Sequence, residues 1–375
     1  MIVGGLRNLG LLNKISYDKS FDTLIVELDK CYNFVTTLPY QPEVANVILF
    51  KRVPENFDDS HLKHFYNYVR SKMGYGNSIV FLTAASVDDY ICEVDDEGKM
   101  AVIATMGLEP PVCPGYEGSH EPLRGTINVA IIVDYGLSSN ALVDLLRVTA
   151  EAKSLAASEL LLRCPLRSSG TVTDAIAVGG KPPHGDNIIV AGMATRIGSW
   201  VSGKVYKRLV EKGLKRLGQE GLLYNAIGLT VNEIVELMAK MYEHDNISGV
   251  TVDCFKNRAR ELIETILKDP NVWSILIAAR ELDLHSAAGS IPDLNVENYA
   301  TDDNIIADKL LALILSLYIA NFKGLLSMQH IKRIEKKDLL PIRLPRFEDH
   351  IVSALVSSAF SAIYDELSKN RKSFS

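Results

Sequence analysis

An excess of positive charge is the first thing this sequence lacks. Its 40 Lys and Arg stand against 46 Asp and Glu, a formal net charge of −6. With no basic patch interleaved with aromatics, a broad nucleic-acid surface is excluded. The one dense basic cluster, Lys204 to Lys215, falls on a single predicted helix and reads as a solvated face. Cysteine is sparse and scattered: Cys31, Cys92, Cys113, Cys164 and Cys254 include no close pair of the kind that makes a zinc site or a redox motif. The expectation is a reduced, intracellular, cytoplasmic protein. Long hydrophobic runs are missing as well. The longest, Leu310 to Phe322, is short for a bilayer and is flanked by Asp308, Lys309 and Lys323, so it is expected to be a buried core helix rather than a membrane insertion. Arg7 and Lys14 interrupt the apolar N-terminus, which does not read as a signal peptide. There is no internal repeat and no low-complexity tract.

What is present suffices for two cores, since 47% of the 375 residues are hydrophobic. Short β-branched runs at Thr23–Glu27, Val44–Phe50 and Ile79–Thr83 predict strands. Asp59 or Ser60 is placed to cap a helix running to about Lys72, with Gly74 to stop it. Tyr90–Val94 and Met100–Ala104 flank a turn containing Gly98, a hairpin signal. Strands are expected at Val129–Val133, Ala175–Val178 and Ile188–Ala191, and helices from about Ser139 to Leu162 and Ile197 to Arg216. Beyond Gly218–Gly221 only helical periodicity remains: Thr230 to His244, Val252 to Leu267, Asp269 to Leu284, Asp303 to Phe322 and Arg346 to Lys369. The fold class is therefore an α/β N-terminal domain over 1–218, with a mixed sheet and α+β possible, followed by an all-α C-terminal domain over 219–375.

Three features could carry chemistry. On the helix after Ser139, Leu142, Leu145, Leu146, Thr149, Ala152, Ala156 and Leu160 form one apolar stripe. Lys153 lies inside it, so its ammonium must meet an anionic partner or ligand, lose its charge, or snorkel to water. The turn Gly170-Thr171-Val172-Thr173-Asp174 offers two hydroxyls, a carboxylate and backbone N–H groups. It can hold an amide carbonyl, phosphate or sugar-like group, or supply a hydroxyl nucleophile; it is also a form that simple polar caps take. Asn128 shares that ambiguity at the start of its strand. His120 and His184 stand in loops able to flank the turn, and Cys113, hemmed by prolines, is a possible thiol nucleophile. In the helical part, Asp302, Asp303 and Asp308, with Glu348 and Asp349, suit either an oxygen-ligated divalent metal or helix N-terminal capping.

Four separated motifs agree in order and spacing with a known family. Gly125-Thr126-Ile127-Asn128, Glu151-Ala152-Lys153, Gly170 to Asp174, and Gly192-Met193-Ala194-Thr195-Arg196-Ile197-Gly198 resemble the adenosylcobinamide amidohydrolases, over roughly Leu24 to Leu214. That resemblance implies hydrolysis of the amide joining the aminopropanol arm to the corrin ring, giving adenosylcobyric acid for cobamide precursor salvage. The motif residues then supply a mechanism. Thr171 or Thr173 is the nucleophile or water-positioning hydroxyl, Asp174 orients it or accepts its proton, and Asn128 with turn N–H groups stabilises the oxyanion. Thr126, Lys153, Gly170, Gly192, Thr195 and His184 are the expected substrate-binding residues. Where the family pattern has a glycine-rich segment after its early strand, this chain has Leu38-Pro39-Tyr40-Gln41-Pro42.

From about Leu222 to Leu367 the chain resembles the archaeal α-ribazole-5′-phosphate phosphatases, relatives of the helical phosphatidylglycerophosphatase A fold. Leu267-Lys268-Asp269-Pro270-Asn271, Ile305-Ile306-Ala307-Asp308 and Phe347-Glu348-Asp349 carry the likeness. It implies Mg2+ on Asp308 and Asp349 if that domain is active. Lys309 stands where the pattern has a glutamate, His350 where it has a second aspartate, and Asp338-Leu339-Leu340 replaces a Lys-Pro-Gly, so a degenerate domain is expected. No cofactor is expected for amide cleavage. The implied partner is a corrinoid small molecule, without nucleic acid, and a homo-oligomer is compatible. The alternatives are a two-activity enzyme that also dephosphorylates α-ribazole 5′-phosphate, or a non-catalytic corrinoid-binding protein.

Overall fold

Strand-period alternation in the first half of the chain becomes one coiled sheet in the computed structural model, which describes residues 10–115, 125–183, 187–244, 246–301, 304–335 and 344–372. His120, His184, Asp302 and Asp303 lie outside the described residues. Contacts divide the chain into two units, Met1–Arg216 and Leu217–Ser375.

In the first unit the order is β1 (Leu12–Asp18), β2 (Thr23–Thr36), β3 (Val44–Arg52), α1 (Leu62–Met73), β4 (Ser78–Thr83), β5 (Ile91–Val94), β6 (Met100–Thr105), β7 (Pro111–Val112), β8 (Asn128–Gly136), α2 (Ser139–Glu159), β9 (Gly170–Thr171) and β10 (Ala175–Lys181). The sheet runs β4-β3-β2-β10-β8-β6-β5, with β1 also on β2, while β7 and β9 pair separately. The β10–β8 and β3–β4 pairs are parallel and the rest antiparallel, so the mixed α/β reading holds.

The sheet curls. The Asn128 Nδ2 group at the start of β8 donates to the Leu82 carbonyl near the end of β4 at 2.9 Å. In a flat sheet these strands, with three others between them, would lie about 19 Å apart. Side-chain size explains how they meet. Phe50 and Phe81, stacked at 4.7 Å, share one core with Ala101, Ala130, Ala175 and Ala177, so small residues on one half leave room for rings on the other. Tyr66 and Val69 of α1 pack with Ile25, Val47, Leu49 and Val80 in a second cluster.

Four expectations are corrected here. Ile188 makes only an isolated bridge to Leu137, and Ile189 and Val190 are exposed, so Ile188–Ala191 is not a strand; β-branched composition alone cannot supply a neighbouring strand. Neither Asp59 nor Ser60 caps α1. The N-cap is His61 without a side-chain bond, because the Asp58 carboxylate takes the Ser60 N–H at 2.9 Å and the helix begins after that turn. Cys113 and Cys164 form a disulfide with Cα atoms 6.1 Å apart, across a sequence separation of 51. This removes Cys113 as a nucleophile and overturns the fully reduced reading, since spacing along the chain says nothing of what the β7–β9 pairing brings together. The fourth lies in the helical unit.

α3 (Arg196–Ile227), interrupted at Gly218 with φ 59°, runs through the division between the units. The second unit continues with α4 (Val231–His244), α5 (Val252–Ile266), α6 (Pro270–Ala287), α7 (Ala307–Glu335) and α8 (Arg346–Lys372). It is all-α, around a core in which Tyr242 and Phe255 stack at 4.3 Å with Phe360 beside them. The run Leu310–Phe322 is not a buried core helix. α7 buries Ala312, Leu315 and Ser316 but exposes Leu310, Ile314, Leu317, Tyr318, Phe322 and Leu326. A helix apolar on all sides gives no periodic signal of which face is covered. Its Ala307–Met328 stretch is long and apolar enough to cross a membrane, with mean hydropathy 1.7, and the helix breaks within it at Ala320–Asn321.

Candidate active site

The Gly170–Asp174 turn is held at the wall of the curled sheet by its neighbours in sequence and in space. β9 pairs with β7 through Pro111–Thr171 and Val112–Gly170, and β10 begins directly after Asp174. Asp174 is the hub. Its carboxylate receives the Ile127 N–H and the Thr171 N–H, both at 2.9 Å, together with the Thr171 hydroxyl and the Lys153 ammonium. Lys153 also donates to the Ser169 carbonyl at 3.0 Å. The lysine in the apolar stripe of α2 has therefore found an anionic partner. At 7% exposure it does not snorkel to water. Gly170 is required at its place, with φ 150°, because a Cβ there would overlap both the Asp174 carboxylate and Lys153 Nζ.

A hollow of about 240 Å³ opens beside this hub. Thr126, Thr173 and Asp174 line one wall, and the Thr126 and Thr173 hydroxyls are hydrogen-bonded at 2.6 Å. Thr37, Leu38, Pro39, Val53, Phe57, Asp59, Leu62, Tyr66, Leu82, Thr83 and Ala84 complete the lining, together with Ala175. Burial pushes the Tyr66 phenol up to about 12, which keeps it protonated. The segment at Leu38–Pro39, where the family pattern has glycines, is thus part of the site wall, as is Asp59.

The other sequence candidates sit differently. Thr171 is buried with its hydroxyl given to Asp174, and it is not on the lining. Asn128 is fully buried behind the wall. Its Nδ2 is committed to Leu82, and its Oδ1 has no partner among the described residues; nor has the hydroxyl of Thr105, its cross-strand neighbour. Gly192 and Thr195 make a helix cap: Thr195 Oγ1 donates to the Gly192 carbonyl at 2.8 Å and accepts the Gly198 N–H at 3.1 Å. They are anchored beside Asp144 through Ala191, nine residues from Lys153 along α2, or about 14 Å. His184 lies outside the described residues.

In the helical unit the acids are already neutralised. Asp308, fully buried, accepts from Arg346 Nε at 2.7 Å, while the same guanidinium donates to the Tyr299 and Ile305 carbonyls, both at 2.8 Å. Glu348, also fully buried, pairs with Arg280 at 2.9 Å. Asp349 lies on the first turn of α8, its N–H bonded to the Pro345 carbonyl. No group of three or more His, Cys, Asp or Glu suited to a metal occurs among the described residues. A dication on Asp308 would have to displace a guanidinium held by three acceptors, so these residues do not fit Mg2+.

Asp283 accepts the Phe347 and Glu348 N–H groups at 3.0 and 2.8 Å, and burial nonetheless pushes its carboxyl up to about 7. The proton is bound more tightly in the folded state, so the stability this group contributes is complete below pH 4 and is lost as pH rises through 7. The rise from 3.8 to about 7 corresponds to roughly 4 kcal/mol. Amide exchange in α6 and α8 is expected to quicken between pH 4 and 8, after correction for intrinsic exchange. Asp283→Asn should flatten that dependence, and an equal pH slope in wild type and variant would refute the assignment.

A hydroxyl pair, a saturated carboxylate–ammonium hub and a small hollow thus lie together at the wall of the α/β sheet. The chain belongs to the adenosylcobinamide amidohydrolase family, whose profile matches residues 10–220. No curated protein matches it. Among solved structures, the low temperature requirement C protein from Listeria monocytogenes is 18% identical, with 41% of this chain and 96% of that one covered at a TM-score of 0.32. Protein ypjQ from Bacillus subtilis is 20% identical, with 40% and 93% covered, at 0.32. A protein of unknown function from Bacillus stearothermophilus is 18% identical, with 38% and 90% covered, at 0.30. Likeness at that level carries no functional argument.

Proposed function

We propose that this chain hydrolyses the amide linking the aminopropanol arm to the corrin ring of adenosylcobinamide, releasing adenosylcobyric acid. The observation that carries the reading is that Thr126, Thr173 and Asp174, distant or adjacent in sequence, line one hollow over a buried Lys153. Its volume, about 240 Å³, lies below the roughly 300–1,000 Å³ that encloses a whole small ligand. It suits a side arm, leaving the macrocycle outside.

Asp174 orients the site and does not move protons, because both its oxygens are occupied by donors. The Thr126–Thr173 hydroxyl pair holds the attacking water. The Thr173 N–H, which has no partner among the described residues, faces the developing oxyanion; such a donor typically contributes about 3–4 kcal/mol. Asn128 supports the wall from behind. Phosphate-ester cleavage by the helical unit is not part of this proposal, given the arginines on its acids.

Mass spectrometry of adenosylcobinamide incubated with the purified chain should show adenosylcobyric acid and free aminopropanol. Thr173→Val should slow release at least 100-fold at unchanged melting temperature. A corrinoid recovered intact from wild type after prolonged incubation would defeat the proposal.

A further inference from the structure

Amide hydrolysis needs a group that takes a proton from water and returns one to the leaving nitrogen. Of the side chains lining the hollow, Asp59, Tyr66 and Asp174 are ionisable. Tyr66 is held protonated by burial, and Asp174 already accepts from two backbone N–H groups, the Thr171 hydroxyl and Lys153. Asp59 is different. It makes no side-chain hydrogen bond or ion pair among the described residues, and it offers only its backbone carbonyl, to the Leu62 N–H at 3.2 Å.

Its side chain is exposed, while the backbone around it is held by its neighbours. The preceding Asp58 takes up the local turn by accepting the Ser60 N–H at 2.9 Å and the Ser60 hydroxyl at 3.0 Å. Phe57 packs on Phe65 of α1 with ring centroids 4.8 Å apart, and Phe57, Leu62 and Tyr66 form the apolar wall beside Asp59. A carboxylate that the sequence offers as a helix cap is thus left uncommitted on the same hollow as the Thr126–Thr173 pair.

We propose that Asp59 is the proton-shuttling catalytic residue of this site, an inference that rests on the amidohydrolase reading above. The carboxylate accepts one proton of the water held by the hydroxyl pair as the water oxygen bonds to the amide carbon. The carbonyl π pair moves onto oxygen. When the tetrahedral species collapses, the C–N bond breaks with its electron pair going to nitrogen, which takes the proton back from Asp59. The products are a carboxylic acid and an amine, which exchange a proton to become carboxylate and ammonium, and Asp59 ends as it began.

The test uses the full chain with adenosylcobinamide as substrate. Asp59→Asn and Asp59→Ala are expected to lower kcat for aminopropanol release at least 100-fold. KM should stay within threefold and melting temperature should not change, because the side chain supports nothing else. Added formate should restore turnover to Asp59→Ala in a saturable way and leave wild type unaffected, a rescue that a merely structural role would not show. A variant with more than half the wild-type kcat overturns the proposal while leaving the amidohydrolase reading intact; so does a slow variant that melts early and ignores formate. Wild type that releases no aminopropanol overturns both.

Discussion

Asp174→Ala is expected to cost the α/β unit about 3–5 kcal/mol and to abolish aminopropanol release. The size follows from what the carboxylate holds. Lys153, with its side chain 9% exposed, would be left as a buried cation, and the N–H groups of Ile127 and Thr171 would lose their acceptor. Lys153→Met is expected to be milder, since Asp174 then keeps three donors and the methionine stem follows the lysine path through the stripe of α2. Urea denaturation of both variants gives the ordering. Asp174→Ala at wild-type stability would show that the hub does not organise the site.

The second large effect lies in the helical unit. Arg346→Ala should destabilise it by about 3–5 kcal/mol, because Asp308 stays fully buried after its guanidinium is removed. Arg346→Lys should recover only part of the loss, as one ammonium cannot reach Asp308, Tyr299 O and Ile305 O with the geometry of a planar fork. Exchange of amides in α7 and α8 reports this directly. Millimolar Mg2+ is not expected to restore Arg346→Ala. Full restoration would mean that the acids can form a cation site once the arginine is gone, contrary to the donor arrangement described above.

Much of the local structure was legible before any coordinates. The period of Leu142, Leu145, Thr149, Ala152 and Ala156 drew α2 and exposed Lys153 as an anomaly, leaving open an anionic partner, a ligand, loss of charge or a path to water. The turn at Gly170–Asp174 was recognisable from its residue types, although not its role as a hub. Other features left no trace in one dimension. β1 carries mixed polarity, and Ile188–Ala191 has strand composition but no strand beside it. Asp59 looked like a cap because caps and free loop carboxylates share the same letters; which of Asp58 and Asp59 closes the turn is a matter of backbone angles.

The sequence by itself determined the division into a mixed α/β part and an all-α part, because hydrophobic period is set by residues three or four apart, or two apart, and needs no distant partner. It also determined that a lysine stands in the apolar stripe of α2, without choosing among a partner, a ligand, loss of charge and a path to water. Only the tertiary structure decided that Lys153 meets Asp174, that Cys113 bonds Cys164, that Leu38 and Asp59 share a hollow with Thr126 and Thr173, and that Arg346 covers Asp308. Each of those pairings joins segments tens of residues apart. Their meeting depends on strand order, the curl of the sheet and helix packing, which are cooperative properties of the whole chain and are written in no single stretch of it.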